Sequence, residues 1–176
     1  MLAWLRKRRD RRRTARSLYG SIVTQARRPA FYAGWGMPDT REGRFETIVL
    51  HLSLALRRLS REGTAGQRLA QELAEAFVAD VDDSMREMTV GDVSVPKQVR
   101  RALGVLYQRH QAYSAAVATG EDAPLAAALA AQLAGLEGHA GVDFARLAAY
   151  MRQADGALAQ QPDSAALAGR LEWPQV

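Results

Sequence analysis

Cysteine is absent from the 176 residues, and its absence excludes disulfides, Cys-ligated zinc and thiol nucleophiles together. The sequence also lacks any run of about 18 apolar residues, the length that spans a bilayer. Its start, MLAWL followed by RKRRDRRR, lacks the apolar region and cleavage site of a secretory signal. We therefore expect a cytoplasmic protein that is neither exported nor membrane-spanning. An Arg-rich, acid-poor start also resembles a mitochondrial transit peptide, so an organellar origin is the alternative.

Strand patterns are missing as well, because β-branched residues are sparse and no stretch alternates apolar with polar side chains. Apolar residues instead recur at spacings of three and four, most clearly over 45–59, which predicts a central helix covered on two sides. Similar patterns predict further helices over about 4–26, 66–88, 96–120, 124–136 and 142–158, with a short terminal turn at about 163–171. The expected fold class is all-α, a single compact helical domain of about six to seven helices. A basic N-terminal helical arm is assigned to 1–16 and the helical domain to 17–176.

The charge of the chain is concentrated at one end. Residues 6–16 hold eight of the 24 cations and one of the 19 anions, a net charge of +7, so the remaining 16 cations and 18 anions give −2. The high pI therefore results from the cations of the arm, and the helical body is mildly acidic. The arm residues are Trp4, Arg6, Lys7, Arg8, Arg9, Arg11, Arg12, Arg13 and Arg16.

Three interpretations of the arm remain open on the sequence. Its cations are suited to neutralise the phosphates of ribosomal RNA. They are equally suited to an anionic membrane surface, where the neighbouring Leu2, Trp4 and Leu5 add an apolar contact. The third interpretation is a solubilising tail without a partner. Trp4 favours the membrane surface.

No motif for catalysis, metal binding or cofactor binding is found. The three histidines, His51, His110 and His139, are far apart and stand in no metal-ligand frame, so they are predicted to be structural. The acidic residues of segment 66–88 are interpreted as a solvated face that points largely outward: Glu72, Glu75, Asp82, Asp83 and Glu87. GWG at 34–36 lacks the strand and the spacing of a phosphate loop. We expect no cofactor and no metal.

Segment 29–44, PAFYAGWGMPDTREGR, differs from the rest in its aromatic, Gly and Pro content. It predicts a short helix and an irregular loop, with Asp39 or Thr40 capping the central helix. Phe31, Tyr32, Trp35 and Met37 have two interpretations of equal weight. All four form an exposed apolar patch for a hydrophobic client, or Phe31 and Tyr32 close the core above the central helix.

Two stretches resemble a known family. LYGSIVTQARRPAFYAGWGMPDTREGRFETIVLHLSLALRRL at 18–59 and DVDDSMREMTVGDVSVPKQVR at 80–100 are similar to the ubiquinol–cytochrome c chaperone family, with a match over about 18–118. The resemblance implies a non-catalytic, all-helical chaperone that binds newly made cytochrome b near the ribosome and the membrane. It suggests client-binding positions, which are Tyr19, Arg28, Phe31, Tyr32, Pro38, Asp39, Arg44, Phe45, Glu46, Asp80, Asp82, Arg86, Glu87, Met88, Gly91, Asp92 and Lys97. Pro29, Thr40, Gly43 and Val95 also match the motifs.

The first functional hypothesis is therefore an assembly chaperone for cytochrome b in the biogenesis of complex III, peripheral at the inner membrane and mitochondrial if the source is eukaryotic. The second is a ribosome- or RNA-binding helical factor that uses the basic arm. Arg86, Glu87 and Asp92 are interpreted either as client contacts or as an internal ion-pair network. A small partner subunit is known in the mitochondrial members of the family and is not assumed here.

Overall fold

The computed structural model describes the backbone of residues 2–87 and 95–176, and their side chains except those of 2–4, 86, 87 and 95. Within these ranges the chain forms seven α-helices and no strand, so the predicted all-α class is confirmed. The helices are α1 (Leu2–Ala26), α2 (Arg41–Leu59), α3 (Gly63–Glu87), α4 (Val95–Ala118), α5 (Asp122–Leu133), α6 (Phe144–Gln160) and α7 (Asp163–Leu167). A π-helical turn, Ala30–Gly34, joins α1 to α2, and a 3₁₀ turn, His139–Gly141, precedes α6.

The central helix is α2, as its periodicity predicts. Its apolar residues are buried on both sides, and α1, α3, α4, α6 and α7 all pack against it. Thr40 caps its N-terminus, since the hydroxyl of Thr40 accepts a hydrogen bond from the Gly43 amide at 3.1 Å. The buried residues of α2 include Val49, Leu50, Leu52, Leu54, Ala55 and Leu59.

Helices α1 and α3 lie side by side and run in the same direction. The Arg12 guanidinium contacts Glu72. Further along both helices, Tyr19 contacts Asp80. The inner face of α1 is formed by Ala15, Leu18 and Ile22, all fully buried. Both helices therefore begin at the arm end of the molecule and end at the opposite end.

The connection from α1 to α2 is folded into the core. Phe31, Trp35 and Met37 are 1%, 7% and 3% exposed, and the Trp35 carbonyl accepts a hydrogen bond from the Asp143 amide at 2.9 Å. Gly36 has φ +74°, and a Cβ there would lie 1.9 Å from the Gly141 carbonyl oxygen. Only glycine allows this close approach of two backbones.

Candidate functional site

The family-like residues fall into three stretches, at 19–32, 38–46 and 80–97, and residues of the second and third come together around one groove. It is bounded by the first half of α2, the end of α3 and the beginning of α4, with Tyr19 of α1 and Arg27, the residue after α1, along one edge and the end of α5 at the other. Its volume is about 990 Å³. Six of the residues suggested by the family resemblance line it, namely Tyr19, Asp39, Arg44, Phe45, Glu46 and Asp80.

The floor of the groove is apolar. Phe45 of α2 and Phe77 of α3 pack with their ring centroids 5.9 Å apart, and the half-buried side chains of Ile48, Met85 and Val105 continue this surface. Phenylalanine and methionine give large apolar contact areas, and methionine adapts its shape to different partners. The floor is therefore suited to receive apolar side chains.

One edge of the groove is fixed by a hydrogen bond from Tyr19 to Asp80. The Tyr19 hydroxyl donates to the Asp80 carboxylate at 2.8 Å, and the Tyr19 ring packs edge-on against Phe77. Burial, with the negative charge of Asp80 as a second cause, raises the pKa of Tyr19, so the phenol remains protonated. This contact ties α1 to α3 while Asp80 itself stays exposed.

A second polar contact spans the other side of the groove. Arg109 of α4 donates two hydrogen bonds to the Glu46 carboxylate, at 3.0 and 2.9 Å, and a third to Gln132 of α5. The side chains of both charged residues are only 12% exposed. Burial alone would lower the pKa of Arg109, but the hydrogen bonds and charge of Glu46 outweigh it and raise that pKa. The pair locks α2, α4 and α5 together at the groove wall.

A third pair lies at the mouth of the groove. Arg44 donates to Asp39 at 2.7 Å, and this hydrogen bond lowers the pKa of the Asp39 carboxyl. Both residues also line a smaller adjoining cavity of about 600 Å³, next to Arg27 and Tyr32. Because both side chains are more than half exposed, this pair can open at little cost when a partner binds.

The first family-like stretch has a different role. Phe31 is buried against Trp35, His51 and Tyr150, with ring centroids 4.9 to 5.2 Å away. The interpretation of an exposed apolar patch is therefore wrong for Phe31, Trp35 and Met37, and the alternative that Phe31 closes the core is confirmed.

The polar residues of this first stretch hold the turn between α1 and α2. Tyr32 is half-buried, and its hydroxyl donates to the Ala26 carbonyl at 2.7 Å. Arg28 is exposed and donates to the Gln25 side chain. Pro38 approaches Gly43, where a Cβ would lie 2.0 Å from the Pro38 carbonyl oxygen.

The remaining suggested positions are only partly described. Asp82 is half-buried on α3, and Lys97 is exposed in the first turn of α4. Arg86 and Glu87 belong to the last turn of α3, but their side chains lie outside the described residues, as does that of Val95. Met88, Gly91 and Asp92 lie outside the described residues altogether.

Several groove residues were not singled out from the sequence as functional. Phe77, Val81 and Arg109 match none of the family-like motifs. Glu46 and Arg109 are 63 positions apart, and no local pattern links them. Over 98–109 apolar residues at helical spacing stand among arginines, a pattern that describes any half-exposed helix.

The arm is the first part of α1 rather than a separate segment. Glu72 is 8% exposed and contacts both Arg11 and Arg12, so the expectation that Glu72 points outward is wrong. The cause is electrostatic, because the carboxylate neutralises cations of the neighbouring helix. The side chain of Trp4 lies outside the described residues.

The titratable groups of the described residues include a histidine in the core. His51 is buried, as predicted for a structural histidine, and its ring contacts Thr47 and Tyr150. Over residues 2–87 and 95–176, no three His, Asp or Glu side chains are grouped so as to hold a metal ion. In the same part of the chain, no helix combines the length and apolar character needed to cross a membrane.

An all-helical domain whose motif residues surround an apolar groove has the architecture of a protein that binds another polypeptide. The chain belongs to the ubiquinol-cytochrome C chaperone family, whose profile matches residues 33–173. The match extends beyond 120, into the helices for which the sequence showed little motif.

Two relatives agree with this assignment. The ubiquinol-cytochrome-c reductase complex assembly factor 1 of Xenopus laevis is 25% identical over 112 residues, which are 64% of this chain and 56% of the frog protein. The chain thus spans little more than half the length of that relative. The crystal structure of the Cbp3 homolog from Brucella abortus superposes with a TM-score of 0.83 at 37% identity, covering 99% of this chain and 97% of that one.

Proposed function

We propose that the protein is a non-catalytic assembly chaperone that binds newly synthesised cytochrome b and assists the biogenesis of ubiquinol–cytochrome c reductase, complex III. Family membership supports the assembly role. The groove is the observation that carries the proposal, because it offers an apolar surface where the family-like residues of α2 and α3 meet.

The shape and chemistry of the groove favour a helical client segment. An apolar helix presents side chains at spacings of three and four, and such a row lies well along a floor formed between helices. A client that will later enter a bilayer exposes apolar helices of this kind before insertion. The groove walls hold two ion pairs, Glu46 with Arg109 and Asp39 with Arg44, in which opposite charges offset each other.

We also propose that the chaperone works peripherally at the inner membrane, where its client must be delivered. The basic arm is the attachment element in this proposal. The ribosome is a competing partner for the same cations, because RNA and anionic lipid both present phosphates.

Photocrosslinking in cells tests the client. A photoreactive residue placed at Met85 or Val105, both half-buried at the groove floor, is expected to yield an adduct with cytochrome b. The same residue at Arg68, exposed on α3 and outside the groove, is the matched control and is expected to yield none. Adducts of cytochrome b that form equally well from Arg68, or from none of the three positions, would contradict the proposal.

A substitution in the groove tests the consequence for assembly. Val105→Glu places a charge on the floor, so we expect the accumulation of cytochrome b to fall, whereas Val105→Leu keeps the floor apolar and should support normal levels. Circular dichroism and thermal unfolding of both variants check that the fold is retained. Normal cytochrome b levels with a folded Val105→Glu protein would count against the groove as the client site.

A further inference from the structure

The cations of α1 divide between two faces of the helix. Arg11 and Arg12 lie toward α3 and contact Glu72, a carboxylate that is 8% exposed. They attach α1 to the body of the protein. Their charge is largely neutralised within the fold, so they contribute little to binding elsewhere.

The opposite face carries a row of arginines. Arg6, Arg9, Arg13 and Arg16 follow one another at spacings of three, four and three, which place them on one side of a helix. This side lies opposite the fully buried Ala15, Leu18 and Ile22. The ten steps from Arg6 to Arg16, at about 1.5 Å each, make the row about 15 Å long.

The side chains of these four arginines are exposed to solvent. Arg6, Arg9 and Arg16 form no ion pair with any residue in the described ranges, and Arg13 has only a 3.7 Å contact with the exposed Asp10. Leu5, one turn before Arg9 on the same face, is 49% exposed. The outer face of α1 thus combines a row of free cations with an apolar side chain at its end.

We propose that this outer face, formed by Leu5, Arg6, Arg9, Arg13 and Arg16, is a side-on docking surface for an anionic lipid bilayer. The proposal deepens the membrane-peripheral role given above and rests on it. The charges of the row are complementary to lipid phosphates, and each cation near such a surface adds to the attraction. The helix lies along the bilayer, with Leu5 at the level of the headgroups and acyl chains.

Two features favour a bilayer over RNA as the occupant. The row lies along one straight helix, so its cations contact a flat surface simultaneously. Leu5 gains from apolar burial at a bilayer, whereas an RNA backbone offers it only phosphate and sugar. The inner face remains in the core, so docking requires no unfolding of the domain.

Binding of the full chain to lipid vesicles tests the surface without any client, so its outcome is independent of cytochrome b. Wild-type protein is expected to cosediment with vesicles of phosphatidylcholine and phosphatidylglycerol, but not with pure phosphatidylcholine. A triple variant, Arg6→Gln, Arg9→Gln and Arg16→Gln, should bind roughly 100-fold more weakly, at about fivefold for each cation. The matched control replaces the exposed body arginines Arg68, Arg100 and Arg170 by Gln, which changes the net charge equally.

The control is expected to bind within a few-fold of wild type. Leu5→Gln should weaken binding even at high salt, where the electrostatic part is screened. Equal losses of vesicle affinity in the two triple variants would mean that only the net charge matters, and this would overturn the proposal. Binding of the wild type to ribosomal RNA but not to the anionic vesicles would overturn it as well, as would vesicle binding that Arg6, Arg9 and Arg16 do not affect.

Discussion

His51 lies at the centre of the core, and both of its ring nitrogens have partners. Nδ1 is 2.8 Å from the Thr47 carbonyl and Nε2 is 2.8 Å from the Tyr150 hydroxyl. A carbonyl only accepts, so Nδ1 carries the proton and Nε2 accepts from Tyr150. The neutral ring is thus satisfied by the fold, and burial lowers its pKa from 6.5 to about 4.

This pKa predicts a dependence of stability on pH. Between pH 6.5 and about 4 the unfolded chain binds a proton at His51 and the folded protein does not, so the free energy of unfolding falls as the pH falls. We expect a loss of up to roughly 3 kcal/mol across this window, with the full stability above it. Urea unfolding at several pH values measures it. His51→Asn should make the free energy of unfolding depend less on pH. The dependence that remains is the part due to His110, whose pKa is also lowered by burial. An unchanged pH dependence would contradict this account.

The Glu46–Arg109 pair gives a second prediction for single residues. Glu46→Gln removes the charge of a carboxylate that is 12% exposed and leaves Arg109 without a counterion. We expect a loss of about 2 kcal/mol in the free energy of unfolding, measured in urea. The control is Asp122→Asn at the exposed pair with Arg152, which should leave stability unchanged within error. Equal effects of the two substitutions would show that burial does not strengthen the groove pair.

The positions of the helices were the most predictable part of the structure. Apolar residues at spacings of three and four are a local signal, so the helices from α1 to α7 fall close to their predicted ranges. The errors concern which side chains a helix exposes. Glu72 looked like part of a solvated face, and only its partners on α1, some 60 positions away, bring it inside.

The attachment of α1 to α3 gives a prediction at the level of helices. Glu72→Gln weakens the contacts with Arg11 and Arg12, so we expect about 1 to 2 kcal/mol less stability and faster amide hydrogen exchange in the first turns of α1. Glu75→Gln is the matched control, since Glu75 is 49% exposed and lies 3.8 Å from Arg12. Faster exchange in both variants alike would argue against a specific role of Glu72.

At the scale of the whole molecule, the groove could be predicted only in part. The family resemblance suggested client-binding residues between 19 and 46 and between 80 and 97, and only some of them line the groove, namely Tyr19, Asp39, Arg44, Phe45, Glu46 and Asp80. The sequence left the burial of Phe31 open as one of two interpretations, because its neighbour Tyr150 lies more than 100 positions away. Long-range packing of this kind leaves no trace in local periodicity.

The separation of arm and groove makes their effects additive. The arginine row ends at Arg16, whereas the groove is lined by Tyr19 of α1 and by Arg27 after it, and none of the row's arginines lines the groove. We expect Val105→Glu to leave vesicle binding unchanged, and the arm triple variant to leave the yield of the groove crosslink unchanged when client is supplied in solution. Cosedimentation and crosslinking on the same preparations measure both. A loss of vesicle binding in a folded Val105→Glu protein would reveal coupling that this separation does not explain.

The parallel course of α1 and α3 has an electrical consequence. Both helices present their amino ends, each equivalent to about half a positive charge, at the end of the molecule that already carries the cationic arm. The other end of α3 carries Asp80, Asp82 and Asp83. The protein therefore has a permanent dipole along its longest helices. In the field of an anionic surface this dipole turns the molecule arm first before contact, which favours productive encounters and makes the association rate sensitive to salt.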